Sequence, residues 1–130
     1  MLLAHFQSVG RDLFSGGLVS SHSGNLSVRM GEKLFITRRG CMLGSLGEQD
    51  LVETCVDRND RATPLASSEL EVHRSVYKLT PSLAVIHAHP PHAIALSLTS
   101  PEIVPNDMEG GVLIPRVPVI PTKSGVKPAE

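Results

Sequence analysis

The chain has no block of basic residues, and its formal net charge is −1. That removes the electrostatic footprint on which nucleic-acid binding depends. It has no apolar run long enough to cross a bilayer. Its N-terminal MLLAHFQSVGRDLF is broken by His5, Arg11 and Asp12 and lacks the layout of a signal peptide. The expectation is a cytoplasmic location, with neither nucleic acid nor membrane as partner. Cysteine is scarce too. Cys41 and Cys55 are too few for a disulfide framework and lie in no CxxC motif, so both are expected to be free thiols. There is no internal repeat and no low-complexity tract.

What is present is a chain of 130 residues, 41% hydrophobic and 19% charged, the composition of one ordinary globular domain. Residues 2–14 put Leu2, Phe6, Val9 and Leu13 at helical spacing, and Gly16–Gly17 stop that helix. NLSVRM alternates Leu26, Val28 and Met30 with Asn25, Ser27 and Arg29, as in a half-buried strand. Gly31–Glu32 turn it into KLFIT, which makes a hairpin over residues 25–37. RRGCMLGSLGEQD is a loop in which Ser45 and Glu48 could cap one short helical turn. LVETCV reads as a strand and RATPL as a short edge segment. SSELEVHRSVYKLT reads as a helix, with Leu70, His73, Val76 and Tyr77 on one face and Ser67 or Ser68 as N-cap. LAVIHAH is a strand ended by Pro90, and Pro91 opens a helix through HAIALSLT. EIV, GVLI and RVPVI are expected as short strands. This alternation argues for a mixed or antiparallel sheet covered by helices. TKSGVKPAE reads as a loop followed by a helix start, from which a further segment of chain is expected.

Three of the six histidines crowd into LAVIHAHPPH. His87 and His89 are two residues apart in a strand, so they project to one face while Ala88 faces away. Two adjacent imidazoles can hold one divalent metal. They also suit a hydrogen-bonded surface pair, and the motif alone leaves both readings open. His92 lies beyond Pro90–Pro91, where the chain must turn, so it is not expected to be a third ligand. Ser67–Ser68–Glu69 stands at a helix start, where free backbone N–H groups and the helix dipole favour an anion. The plainer reading is capping, with Ser68 and Glu71 as a capping box. Glu69 gains interest only if it points at the metal, where a carboxylate can act as a base. Gly24–Asn25 in SSHSGNLS and Gly40 in ITRRGCM read as turns that could also wrap an anion in backbone N–H groups. Arg38 and Arg39 could favour an anionic ligand, and read rather as solvated surface charge.

In order, SGNLSVR, LFITRRG, ASSELEVHRSVY, AVIHAHPPHAIALS and NDMEGG resemble the class II aldolase/adducin family, from about residue 5 onward. The specific part is SSE followed about twenty residues later by H-x-H. Within the family the nearest likeness is to the fuculose phosphate aldolases. The resemblance implies a three-layer α/β/α fold with a mainly antiparallel central sheet flanked by helices, here as a single domain over residues 1–130. It implies a lyase that cleaves a 1-phosphorylated 2-keto sugar to dihydroxyacetone phosphate and an aldehyde. It implies a zinc ion, or another divalent metal, and a homotetramer with active sites between subunits. His87 and His89 stand at two of three metal positions, and Glu69 at the catalytic acid/base position. Gly24, Asn25, Gly40, Ser67 and Ser68 stand at the substrate-phosphate positions. The third histidine of the family comes from a later segment, so a C-terminal part is expected to be missing. The 130 residues alone are then expected to be inactive, because two histidines hold metal weakly. The family's ITPTG loop is ITRRG here, and the tyrosine of the loop aligned near NDMEGG is replaced by Asn106 or Asp107. The alternatives are a sibling epimerase, dehydratase or decarboxylase, a non-catalytic adducin-like binding module, and a generic metal-dependent hydrolase.

Overall fold

The apolar residues at positions 2, 6, 9 and 13 fall on one side of a helix, α1 (Leu2–Ser15). Gly16 and Gly17 end it, and the Leu18 N–H returns to the Leu13 carbonyl. This is seen in a computed structural model that describes residues 1–121. The helix start expected within TKSGVKPAE lies outside the described residues. Residues Met1–His89 form one compact unit, and the described residues from Pro90 onward belong to a second.

The first unit is built on a four-stranded sheet, β1 (Asn25–Met30), β2 (Lys33–Thr37), β3 (Leu51–Cys55) and β4 (Ala84–His87), in the order β3-β2-β1-β4. Every pairing is antiparallel. Gly31, at a φ of 65°, makes the tight turn of the β1–β2 hairpin. The two-residue side-chain period sorts the sheet into two faces. Leu34, Ile36, Val52 and Val56 pack with Leu70 and Tyr77 of a second helix, α2 (Leu70–Leu79). Leu26 packs with Phe6 and Val9 of α1, and with Leu43 and Leu46, on the other face. The unit is therefore helix, sheet, helix, as the family resemblance implies. Gly10 lets α1 approach the loop closely, since a Cβ there would overlap the Leu43 carbonyl.

Several local expectations differ from the structure. β1 is not half-buried: Asn25, Leu26 and Ser27 are all buried, because both faces of the strand are covered. RATPL forms a 3₁₀ turn (Thr63–Leu65), wound up by the Asp60 carboxylate, which accepts from the Ala62 and Thr63 N–H groups. The Ser45–Glu48 cap does not form. Two 3₁₀ turns (Leu43–Ser45 and Glu48–Asp50) occupy that loop, and the Gly47 N–H is taken by Asp50 instead. β4 ends at His87, two residues early, because the His89 N–H turns away to the Leu18 carbonyl.

The second unit holds α3 (Pro91–Ser97), β5 (Glu102–Ile103), α4 (Met108–Leu113) and β6 (Val117–Pro118), with β5 and β6 paired antiparallel. GVLI is helical rather than a strand. Asp107 caps α4 by accepting from the Gly110 N–H, which starts a helix where the apolar run suggested extended chain. His92 lies in the first turn of α3. Among the described residues no helix is long and apolar enough to cross a membrane.

Candidate functional site

Antiparallel pairing places Asn25 directly opposite His87, and Ser27 opposite Val85. All four side chains lie on the sheet face covered by α2, with the start of that helix above them. Ala88 packs into the opposite core, as a strand-period neighbour should. His87 and His89 keep their rings together, with centroids 5.0 Å apart.

The loop between β2 and β3 supplies a second wall. The Cys41 N–H returns to the Arg38 carbonyl, and Gly40 takes a φ of 73°, so residues 38–41 form a tight turn that glycine suits. This turn is stitched to the segment before α2. The Arg39 N–H donates to the Leu65 carbonyl, and the Ser67 N–H to the Thr37 carbonyl. Gly24 sits at a φ of 78°, and a Cβ there would lie 2.6 Å from Val19 and 2.8 Å from the His87 carbonyl. Only glycine lets the chain enter β1 this close to β4.

At the start of α2 the expected capping box is absent. Glu71 instead pairs with Arg74 at 2.7 Å. That guanidinium is itself buried, on the Cys55 and Arg58 carbonyls and Asn59. Ser67 is buried and accepts from the Glu69 N–H, whereas Ser68 is exposed. Glu69 is the N-cap residue, and its carboxylate lies 2.6 Å from His87 Nδ1.

These elements enclose a polar cavity of about 160 Å³. It is lined by Gly24, Asn25, Gly40, Ser67, Ser68, Glu69, His87 and His89, the residues that the family resemblance sets at catalytic, metal and phosphate positions. Arg38, Arg39, Cys41 and His22 line it as well. Two guanidiniums, two hydroxyls and a turn of backbone against one carboxylate make a lining suited to an anion. A separate hollow of about 100 Å³ between α1 and the sheet, near Phe6 and Ile86, is apolar and carries no such set. Two imidazoles beside a carboxylate are donor types that a divalent cation accepts. Among the described residues no group of three or more His, Cys, Asp or Glu forms a complete cage.

Sequence reasoning passed over two features. Burial and the charge of Asp50 push the Cys41 thiol up, so it is a weak nucleophile at neutral pH. His73, on the inner face of α2, is fully buried, and burial, then the charge of His87, pushes it down to about 4. Its Nε2 bonds Asn25 Oδ1, and its Nδ1 bonds the Ser27 hydroxyl at 2.6 Å. The visible signal was a histidine on the same helix face as Leu70 and Tyr77.

Comparisons with known proteins agree with this architecture. Residues 4–128 match the model of the class II aldolase and adducin N-terminal domain. The L-fuculose phosphate aldolase of Methanocaldococcus jannaschii is 31% identical over 114 residues, covering 86% of this chain and 62% of that protein. A probable bifunctional methylthioribose-1-phosphate isomerase/methylthioribulose-1-phosphate dehydratase of Nocardia farcinica is 34% identical over 100 residues, 72% of this chain and 18% of that one. The crystal structure of L-fuculose-1-phosphate aldolase from Thermus thermophilus superposes with a TM-score of 0.84 at 40% identity, over 90% of this chain and 59% of that one. The chain thus spans less than two thirds of the length of each of these relatives.

Proposed function

This chain belongs to the class II aldolase and adducin family, and from that premise we propose that it is a metal-dependent aldolase acting on a 1-phosphorylated 2-keto sugar of the fuculose 1-phosphate kind. The observation that carries the proposal is the single cavity in which Glu69, His87 and His89 stand beside Gly24, Asn25, Gly40, Ser67 and Ser68. A cavity that brings an acid and two imidazoles together with anion donors suits a substrate that joins a phosphate to a ketone.

His87 and His89 fit part of the coordination set of a divalent cation, zinc in this reading, with a further ligand supplied from outside the described residues. When bound, such a cation polarises the C2 ketone and offsets the charge that develops as the C3–C4 bond breaks. The protein's own part is then clear. The Ser67 and Ser68 hydroxyls, the Asn25 amide and the backbone around Gly24 and Gly40 hold the phosphate. Arg38 and Arg39 add positive charge to the lining. Glu69 returns the proton to C3 of the three-carbon product in the cleavage direction and removes it in synthesis. The products are dihydroxyacetone phosphate and an aldehyde, and no Schiff-base lysine takes part. A homotetramer and a cytoplasmic setting belong to the same proposal.

Two imidazoles alone hold metal weakly, so the test supplies zinc in excess. A chain that also carries the further metal ligand is expected to release dihydroxyacetone phosphate from fuculose 1-phosphate, whereas residues 1–130 alone are expected to be inactive. Glu69→Gln should keep zinc binding and lose about 10²–10⁴ in rate. Full activity in that variant would sink the assignment of Glu69, and an unchanged rate under a chelator would sink the metal. The dehydratase named among the relatives motivates a second reading, in which the substrate loses water and keeps its carbon chain. Product mass separates the two.

A further inference from the structure

Tyr77, Ser27, His73 and Asn25 form a chain of hydrogen bonds in the interior between α2 and the sheet. Tyr77 and Ser27 are each 1% exposed, His73 is 0% and Asn25 is 7%. The phenol lies 2.6 Å from the Ser27 hydroxyl, which lies 2.6 Å from His73 Nδ1. His73 Nε2 meets Asn25 Oδ1, and Asn25 Nδ2 lies 3.2 Å from His87 Nδ1 at the cavity wall. Among the described residues no buried side-chain polar atom lacks a partner, so the chain is fully satisfied. An apolar filling of the same shape would serve stability about as well. A satisfied polar chain in a core instead fixes orientation.

The direction of the chain follows from its ends. The Tyr77 phenol is buried, and among the described residues the Ser27 hydroxyl is its one side-chain hydrogen-bond partner, so the phenol hydrogen goes to Ser27. Ser27 then gives its hydrogen to His73 Nδ1, which leaves the proton of a neutral ring on Nε2. An N–H at that position selects the oxygen of the Asn25 amide and rejects its NH2 group. The NH2 group is thereby turned toward the cavity, where a reversed amide would present an acceptor to an anion.

We propose that His73, held as the Nε2–H tautomer by Ser27 and Tyr77, is a positioning residue that locks the Asn25 amide with its NH2 group facing the cavity. The consequence for ligands rests on the reading of the cavity as an anion site; the tautomer does not.

The test uses the full chain labelled with ¹⁵N-histidine and long-range ¹H–¹⁵N correlation at neutral pH. His73 is expected as a single Nε2–H tautomer, and Ser27→Ala is expected to give a mixture. Inorganic phosphate, titrated as the probe, is expected to bind His73→Leu about fivefold more weakly than wild type. His73→Gln, whose side-chain amide can still donate to Asn25, should come within about twofold of wild type. An Nδ1–H tautomer or an imidazolium in the wild-type protein overturns the proposal, and no variant needs to fold for that result. A folded His73→Leu that binds phosphate like wild type also overturns it. If wild type binds no phosphate, the anion-site reading fails separately, and the tautomers of wild type and Ser27→Ala decide the lock.

Discussion

At the scale of the residue, His73 makes the sharpest demand on solution conditions. Its folded value of about 4 lies below the usual 6.5, chiefly because burial disfavours the charged ring. Between those values the unfolded chain binds more protons than the folded one. Stability therefore holds above about pH 6.5 and falls as the pH drops from there to about 4, by roughly 3 kcal/mol in all. His73→Gln should lack this component. Denaturant unfolding of both proteins across that window checks it, since the carboxylate contributions cancel in the difference; parallel curves would contradict the assignment. The residues in the cavity were legible in the sequence because each carries a local signal: a two-residue spacing for His87 and His89, a helix start for Ser67 and Ser68, a turn for Gly24 and Gly40. His73 was not legible as part of the site. Its bond to Asn25 spans 48 positions and exists only because α2 is laid across β1.

At the scale of the element, the register of β1 against β4 sets the site. Asn25 faces His87 across the ladder, and a slip of one residue in either strand would send that strand's side chain to the α1 face. Gly24 guards that register from the start of β1. Gly24→Ala is expected to cost about 1–3 kcal/mol of folding stability, from a strained φ and from contact with Val19 and the His87 carbonyl. Gly31→Ala is the control. It shares the positive φ, at 65°, but a Cβ there meets nothing within 4 Å, so only the backbone term of about 1 kcal/mol remains. Equal losses in urea unfolding would show that the close approach at Gly24 is not what requires glycine. The helices, the hairpin and the covered sheet were readable from periodicity and turn chemistry. The errors came where a side chain outside the periodic pattern took a backbone or capping partner: Asp60 at the RATPL turn, Asp107 at α4, and Arg74 drawing Glu71 away from a cap.

At the scale of the whole molecule, the proposed function joins two half-sites in one cavity, an anion cradle and part of a metal centre, within a family whose matched relatives are longer chains. Assembly is one check. Light scattering in solution is expected to give the mass of four chains, and a monomer at all concentrations would remove the tetramer from the proposal. The joining of the half-sites is the central claim, and it is a statement about linkage. A metal and a phosphorylated ketone that share one cavity must change each other's affinity by the same factor. The most direct measurement titrates the ¹⁵N-labelled chain with dihydroxyacetone phosphate, with and without saturating zinc. Zinc is expected to tighten binding by about tenfold or more, with shifts at Gly24, Gly40, Ser67 and Ser68. Equal affinity in both conditions, or shifts confined to other parts of the chain, would contradict it.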